Sequence, residues 1–196
     1  MREDLLLRIA ALMLLAVFYA AYFVKLLFQK RKGVTTDQIG RGKKSKKTLV
    51  IERLMKLATY AVVPAEVLCI LWNVGLRQNV LRWGGIAVAA CGVSVFILAM
   101  QTMRESWRAG ISMTDKTELV TAGIYRFSRN PAFLGFDLLY LGLLLAFFHP
   151  AHLAFALFAI VMLHLQILQE ERFLKDTFGE RYLQYRHTVL RYIGRH

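Results

Sequence analysis

Long uninterrupted runs of apolar residues are the feature that most restricts the fold of this chain. Five runs approach or exceed the roughly 20 residues that a helix needs to cross a bilayer core. They occupy residues 5–28, 54–76, 83–103, 132–148 and 152–168. Apolar residues make up 57% of the 196-residue chain, more than in an ordinary soluble domain. The runs predict an all-α, polytopic membrane protein with about five transmembrane helices.

The first run and the last two have informative ends. Met1 and Arg2 give the first run the cationic start of a secretory signal peptide, but the run is about 24 residues long and no small-residue cleavage pattern follows it. We therefore expect a retained transmembrane helix. The last two runs are separated by HPAH at 149–152, where Pro150 interrupts a helix. These two runs are expected to form an antiparallel hairpin.

Basic residues concentrate between the runs and account for the formal net charge of +13. They cluster in segments 29–53, 104–131 and 169–196, and the positive-inside rule places all three in the cytoplasm. The N-terminus is then outside, in what we expect to be the plasma (inner) membrane. Basic helix ends also attract anionic headgroups, and no pattern typical of a nucleic-acid-binding module is present. The predicted partners are therefore membrane lipids, with no nucleic acid.

Two of the basic segments are long enough to cover a cavity. Gly110, Gly123 and Pro131 punctuate segment 104–131, which predicts a structured loop with short helical turns. In segment 169–196 the apolar spacing predicts a cytoplasmic amphipathic helix, broken near Gly179, along the membrane surface or over that loop.

Cysteine and histidine residues give no sign of a disulfide framework or a metal site. Cys69 and Cys91 both lie inside apolar runs, so we expect two buried, unreactive thiols. His149 and His152 lack a third ligand and are expected to be turn residues, so no metal is predicted.

Two acidic residues lie within the apolar runs, where a charge is costly and usually faces a partner or a cavity. Glu66 is interpreted as a cavity residue. Asp137 is expected at the depth of His164 on the neighbouring helix, where it either contacts His164 or lines a substrate cavity. The sequence leaves these two alternatives open.

Several short motifs occur in a characteristic order in the C-terminal half. They are GIYRFSRNPAFLG at 123–135, then the hairpin, then EER at 170–172 and FGERYLQY at 178–185. In this order they resemble the isoprenylcysteine carboxyl methyltransferase family and the related phospholipid methyltransferases, over roughly residues 104–191. The chain accordingly divides into three N-terminal transmembrane helices with the basic loop 29–53, in residues 1–103, and a methyltransferase-like region, 104–196. Asn130 stands where the family usually has His, so an acid or base role does not carry over, whereas a ligand-orienting role does.

The resemblance implies an enzyme that binds S-adenosylmethionine (AdoMet) at the cytoplasmic face. Arg129 suits the carboxylate of AdoMet, Glu170 or Glu171 its ammonium or ribose, and Tyr125 or Phe133 its adenine. The full set of predicted cofactor-binding residues is Leu119, Val120, Gly123, Tyr125, Arg129, Asn130, Pro131, Phe133, Glu170 and Glu171.

The expected acceptor is lipid-like, because the motif lies at the start of a transmembrane helix. Its nucleophile would be a prenylcysteine-like carboxylate, a phospholipid amine or another small membrane-partitioned group. The predicted acceptor residues are Trp107, Arg108, Leu134, Asp137 and Glu66, and no catalytic general base is identified. Two alternatives remain open at this point: a sterol-reductase-like enzyme that uses NADPH, and a non-enzymatic membrane protein that has lost cofactor binding.

Overall fold

Helices make up the architecture of the protein. The computed structural model describes residues 2–32, 38–40, 44–75, 78–107 and 118–196, and within these ranges it contains no extended strand. The α-helices are α1 (Arg2–Arg31), α2 (Lys46–Leu71), α3 (Asn79–Met103), α4 (Pro131–Ala146), α5 (Pro150–Phe178) and α6 (Glu180–Thr188). Short 3-10 turns lie at Arg104–Ser106 and Gly123–Arg126. The predicted all-α class is confirmed.

Four of the described helices, α1, α2, α3 and α5, are long and apolar enough to cross a membrane. The fifth predicted span, α4, is apolar but has only 16 residues. Large apolar side chains such as Leu57, Val80 and Leu98 are exposed on the outside of the helices, where lipid covers them. The chain is an integral membrane protein.

Helix α4 packs most extensively on α3, and glycines allow the two backbones to approach closely. An added Cβ at Gly85 would lie 2.5 Å from the carbonyl oxygen of Gly142, and one at Gly92 would lie 2.7 Å from that of Gly135. Both distances are too short for a real contact, so only glycine fits at this interface.

At the opposite end of the bundle from the motif region, Arg82 joins several helix ends. Its Nε donates to the carbonyl oxygen of Ala146 at 2.9 Å, and Nη1 pairs with Asp4 at 3.1 Å. The guanidinium also lies 5.0 Å from the ring centroid of Phe147. The start of α1, the start of α3 and the end of α4 are thereby fixed together.

The predicted hairpin is confirmed, because α4 ends at Ala146 and α5 begins at Pro150. His149 caps α5 by accepting a hydrogen bond from the Ala151 amide at 3.3 Å. The break predicted near Gly179 is also found, with Gly179 at φ 53° between α5 and α6. Residues 169–178, however, continue α5 out of the apolar run, so α6 alone forms a separate C-terminal helix.

One expectation about the thiols is wrong. Cys69 is buried, whereas Cys91 is exposed on α3. An apolar run in a membrane protein is apolar on its lipid-facing side as well as inside, so the run alone does not show which residues are buried.

Candidate active site

A cavity lies among α1, α2, α3, α4 and the second half of α5, at the end of the bundle that carries the motifs. It contains about 770 Å³ of empty space, part of which is open to the outside. Its walls are mainly aromatic, formed by Tyr19, Tyr22, Phe96, Trp107, Phe133 and Phe136. At its edge Phe23 of α1 and Tyr60 of α2 are 53% and 64% exposed. The cavity therefore opens sideways at α1 and α2, towards the lipid.

Glu170 provides a carboxyl group in this apolar cavity. Among the described residues that line the cavity it is the only charged side chain. The amide nitrogen of Gln166, one turn earlier on α5, donates to Glu170 Oε1 at 3.0 Å and fixes the carboxylate. The carbonyl oxygen of the Gln166 side chain is buried and has no hydrogen-bond partner in the described part of the chain. A ligand that enters the cavity thus meets the carboxyl group of Glu170 in aromatic surroundings.

The start of α4 forms another part of the cavity wall. Pro131 occupies the first turn, and Asn130 at the N-cap makes no capping hydrogen bond with its side chain. Ala132 and Phe133, which follow, line the cavity. Amide groups in the first turn of a helix lack helical partners, and together with the helix dipole they attract negative charge. The cavity therefore places an anion-attracting helix start near a fixed carboxylate.

Glu171, next to Glu170, makes a different set of contacts. Its Oε1 accepts from Arg129 Nη2 at 3.0 Å and from Asn130 Nδ2 at 3.1 Å. Its Oε2 accepts from Arg191 Nη2 at 2.9 Å. We refer to Glu171, Arg129, Asn130 and Arg191 as the Glu171 network. The hydrogen bond to Glu171 raises the pKa of the Arg191 guanidinium above its ordinary value.

The Glu171 network ties the C-terminal segment to the start of α4. The Arg129 amide donates to the Leu190 carbonyl at 3.1 Å, and Asn130 Nδ2 donates to the Arg191 carbonyl at 3.2 Å. Farther along, the Gly194 amide donates to the Phe127 carbonyl at 2.7 Å. Segment 189–195 is thus fastened along residues 127–130.

Tyrosines of α6 pack on the other side of the motif. The Tyr185 hydroxyl donates to the Tyr125 carbonyl at 2.6 Å, so α6 lies over the loop before α4, one of the two positions expected for the C-terminal helix. Burial raises the pKa of Tyr182 to about 12, and the side chain stays a neutral packing residue at physiological pH.

Comparison with known proteins gives a result that matches this geometry. The family model described as phospholipid methyltransferase matches residues 80–181, which are 102 of the 196 residues and just over half of the chain. The chain belongs to the phospholipid methyltransferase family. The match confirms the resemblance noted in the sequence, and it includes most of α3 as well as the hairpin and the glutamate pair. A comparison with curated proteins gave no match.

As a member of this family of membrane methyltransferases, the chain places its predicted site residues in several locations. Trp107, Phe133 and Glu170 line the cavity. Arg129, Asn130 and Glu171 belong to the Glu171 network, and Pro131 begins α4. The remaining predicted cofactor residues lie outside the cavity wall in the described structure: Leu119, Val120, Gly123 and Tyr125.

These four residues have local roles that the structure makes clear. Leu119 packs on Tyr182 and Tyr185, and Tyr125 is buried beneath the latter. Val120 lines a groove beside α1 and α3. Gly123 has φ 58°, and a Cβ there would lie 2.9 Å from the methyl group of Thr102, so both the backbone and the space favour glycine.

The predicted acceptor residues are only partly brought together. Leu134, Asp137 and Glu66 do not line the cavity, and Arg108 lies outside the described residues. The proposed contact of Asp137 with His164 is absent from the described structure, because His164 Nδ1 instead hydrogen-bonds the Tyr192 hydroxyl at 2.8 Å. Tyr192 comes from the C-terminal segment, whose path the sequence pattern did not specify.

Glu66 is completely buried behind the cavity. Neither carboxylate oxygen has a hydrogen-bond partner among the described residues. The buried hydroxyl groups of Tyr19 and Tyr140 also lack a partner there. Tyr19 lines the cavity and is within electrostatic range of Glu66. A buried polar cluster thus lies behind the aromatic wall, within the helix bundle.

Sequence reasoning missed most of the cavity wall and one member of the Glu171 network. Tyr19, Tyr22 and Phe96 belong to helices for which the sequence predicted only a transmembrane span and no functional residue. Arg191 was counted among the basic residues that set topology. The sequence feature that could have indicated Arg191 is the pair of neighbouring glutamates in the family motif. Buried carboxylates need cationic partners, and two of them at the end of one helix favour more than one cation.

Proposed function

We propose that the chain binds AdoMet in the aromatic cavity and transfers its methyl group to a lipid-like acceptor at the membrane face. The observation that carries this proposal is the position of Glu170, fixed inside an aromatic cavity beside the uncapped start of α4. The family places the chain among membrane methyltransferases, and the chemistry of this cavity supports the proposed donor and acceptor.

The cavity residues fit the groups of AdoMet. Glu170 suits the ammonium, and the faces of Tyr22, Trp107 or Phe133 suit the sulfonium and the adenine. The amide groups at the start of α4 suit the carboxylate. When bound, AdoMet supplies a methyl group already activated on sulfur, so the protein needs to orient the reactants and exclude water.

Arg129, Asn130 and Glu171 support this site chiefly by position. The sequence suggested direct cofactor contacts, but in the structure Arg129 and Glu171 bind each other. We assign them the task of holding the first turn of α4 against the end of α5. Because Arg129 and Arg191 share one glutamate, the Glu171 network carries net positive charge near the start of α4. This charge favours the carboxylate of the cofactor.

The proposed acceptor enters from the bilayer. The sideways opening at Phe23 and Tyr60 gives a lipid tail access, while a polar nucleophile stays near the level of Glu170. A carboxylate or thiolate acceptor needs no base, whereas a protonated amine first loses a proton. The basic segments around this end favour a cytoplasmic site in the plasma (inner) membrane.

The alternative use of NADPH is disfavoured by the charge of the cavity. Its phosphates would require cations, and the described residues that line the cavity include no Lys or Arg. The alternative of a non-enzymatic protein predicts that neither cofactor binds.

One experiment separates these functions. Purified chain in bilayers is incubated with radiolabelled AdoMet and a total lipid extract, and NADPH binding is measured in parallel. We expect saturable AdoMet binding and label in organic-soluble product. Label only in water-soluble product would reject the lipid acceptor, and binding of NADPH without AdoMet would reject the methyltransferase proposal.

A further inference from the structure

A second cleft lies outside the cavity, between the loop before α4 and helix α6. Three arginines line it: Arg126, Arg181 and Arg195. The rest of its wall includes the hydroxyl-bearing Thr121 and Thr188. It contains about 830 Å³ of empty space, part of it open to solvent, and shares no lining residue with the aromatic cavity. We call it the arginine cleft.

The three arginines have no acidic partner in the described structure. No Asp or Glu lines the cleft, and the nearby Glu118 and Glu180 form no ion pair with them. This differs from the Glu171 network, where both guanidinium groups bind a carboxylate. Like charges held together in one cleft repel each other, and a bound anion removes that repulsion.

The chemistry of the cleft fits a phosphate group. A guanidinium presents paired N–H donors that match two phosphate oxygens, and arginine is favoured where such planar recognition matters. The Thr121 hydroxyl in the cleft wall adds a neutral donor. Three cations with a hydroxyl donor match a phosphodiester or phosphomonoester better than a carboxylate.

An exposed apolar patch beside the cleft indicates where the phosphate comes from. Phe127 and Ile193 are 59% and 71% exposed, and Leu190 is also exposed. Backbone hydrogen bonds from Gly194 to Phe127 and from Leu190 to Gly194 keep the three residues adjacent. Arg126 and Arg195 flank this patch in sequence, which is the arrangement of a surface that inserts apolar side chains between lipids.

We propose that the arginine cleft binds the phosphate of an anionic phospholipid, at a site separate from that of the methyl acceptor. The apolar patch contacts the acyl region next to the headgroup, and the arginines hold the phosphate. Binding there fastens α6 and the C-terminal segment to the membrane surface. The proposal does not depend on methyl transfer, so its test uses binding alone.

The test measures binding of a fluorescent short-chain phosphatidylglycerol to the purified full chain in zwitterionic micelles. The triple variant Arg126→Gln, Arg181→Gln, Arg195→Gln is expected to bind at least about tenfold more weakly, since each lost charge-assisted contact weakens binding severalfold. The matched control removes three exposed lysines at the same end, with Lys30→Gln, Lys46→Gln and Lys47→Gln. We expect that control to bind within about twofold of the parent, because it removes only diffuse attraction.

Competition and a second variant complete the test. Equal weakening in both triple variants, or equal competition by phosphatidylcholine, would overturn the site. A further outcome is that glycerol 3-phosphate competes as strongly as the lipid in the parent but does not bind the triple arginine variant. That result would support a phosphate site and overturn the lipid as its source. Arg181→Gln alone, which changes one exposed residue, is expected to weaken binding about threefold and decides the question if the triple variant does not fold.

Discussion

At the scale of single residues, the two adjacent glutamates of α5 have separate tasks. Successive residues of an α-helix point about 100° apart. Glu170 therefore faces the cavity, while Glu171 faces Arg129 before α4 and Arg191 of the C-terminal segment. One carboxylate is available to a ligand, and the other is held by the protein itself.

Glu170→Gln replaces the carboxyl group of the cavity with a neutral amide and leaves the cavity shape nearly unchanged. We expect AdoMet affinity to fall by about 1.5–3 kcal/mol, the usual value of a hydrogen bond to a charged group. Isothermal titration of purified protein measures the change, with the exposed Glu180→Gln as a control of equal charge. Unchanged affinity in Glu170→Gln would mean that the ammonium binds elsewhere.

Glu171→Gln is expected to destabilise the protein even without cofactor. It leaves the Arg129 side chain, 7% exposed, without its ion-pair partner, and removal of one partner from a buried pair costs about 3 kcal/mol. Chemical unfolding in detergent measures the loss, and the exposed Glu118→Gln serves as control. If Glu171 acted only as a cofactor ligand, stability without AdoMet would not change.

The sequence predicted a role for both glutamates but not that their side chains would have different partners. The motif order identified both, together with Arg129 and Asn130. The orientation of the helix about its own axis was not available, because α5 is apolar on several faces within the membrane. Arg191 could not be paired with Glu171, since the path of the chain after α6 depends on backbone contacts between segment 189–195 and residues 127–130.

At the scale of helices, the close packing of α3 on α4 sets the frame of the site. Gly85 and Gly92 on one helix face Gly142 and Gly135 on the other. Because no side chains separate them, the two backbones fix the position of α4 along α3. This position also determines where the first turn of α4 meets the cavity. Packing of this kind replaces the hydrophobic effect, which cannot join helices within lipid.

Adjacent glycines of α3 provide a sharp test of this interface. A Cβ at Gly85 would lie 2.5 Å from a backbone oxygen, whereas one at Gly84 meets nothing within 4 Å. Gly85→Ala is expected to lower the free energy of unfolding by about 1–3 kcal/mol through overpacking. Gly84→Ala should be neutral or stabilising by up to about 1 kcal/mol, because alanine favours helix. Thermal unfolding of both variants in one detergent gives the comparison, and equal shifts would contradict the interface.

The existence of the helices was predictable, and their partners were less so. The apolar runs and Pro150 indicated the spans and the hairpin. The main partner of α4 is nevertheless α3 rather than α5, its neighbour in the hairpin. Glycine positions 85, 92, 135 and 142 contained this information as a seven-residue spacing, but an isolated glycine in an apolar run has several interpretations.

At the scale of the whole molecule, the described parts of the three basic segments meet at one end of the bundle. Gln29 Nε2 donates to the Trp107 carbonyl at 3.1 Å, which joins the end of α1 to the end of α3. The Thr48 hydroxyl donates to Gln169 at 3.2 Å, which joins the start of α2 to α5. The shared end agrees with the charge pattern, and the positive-inside rule predicts that this end is cytoplasmic.

Cysteine labelling tests this arrangement in cells. In a chain with Cys69→Ser and Cys91→Ser, single cysteines are introduced by Ser45→Cys, Glu180→Cys and Gln78→Cys. We expect an impermeant maleimide added outside intact cells to label position 78 only, and positions 45 and 180 to react after permeabilisation. Labelling of position 45 or 180 from outside would contradict the predicted topology.

The cavity illustrates what a local pattern cannot show. Phe133, Glu170 and Trp107 were predicted from the motif region, but Tyr19, Tyr22 and Phe96 join them from α1 and α3, which precede the motif at 123–135. Their aromatic character is equally common in any membrane span. Only the packing of α1 and α3 around α4 makes them a wall of the site.

The shortness of α4 also has a consequence for the surrounding bilayer. With 16 residues it is about 24 Å long, against a hydrocarbon core of about 30 Å. Leu141 and Leu145 are exposed on its outer side, so lipid borders the short helix directly. Such mismatch is relieved when the neighbouring bilayer thins. Thinning at this place would bring headgroups towards the level of the cavity, and we expect methyl transfer to be faster in bilayers of short-chain lipids than in thick ones.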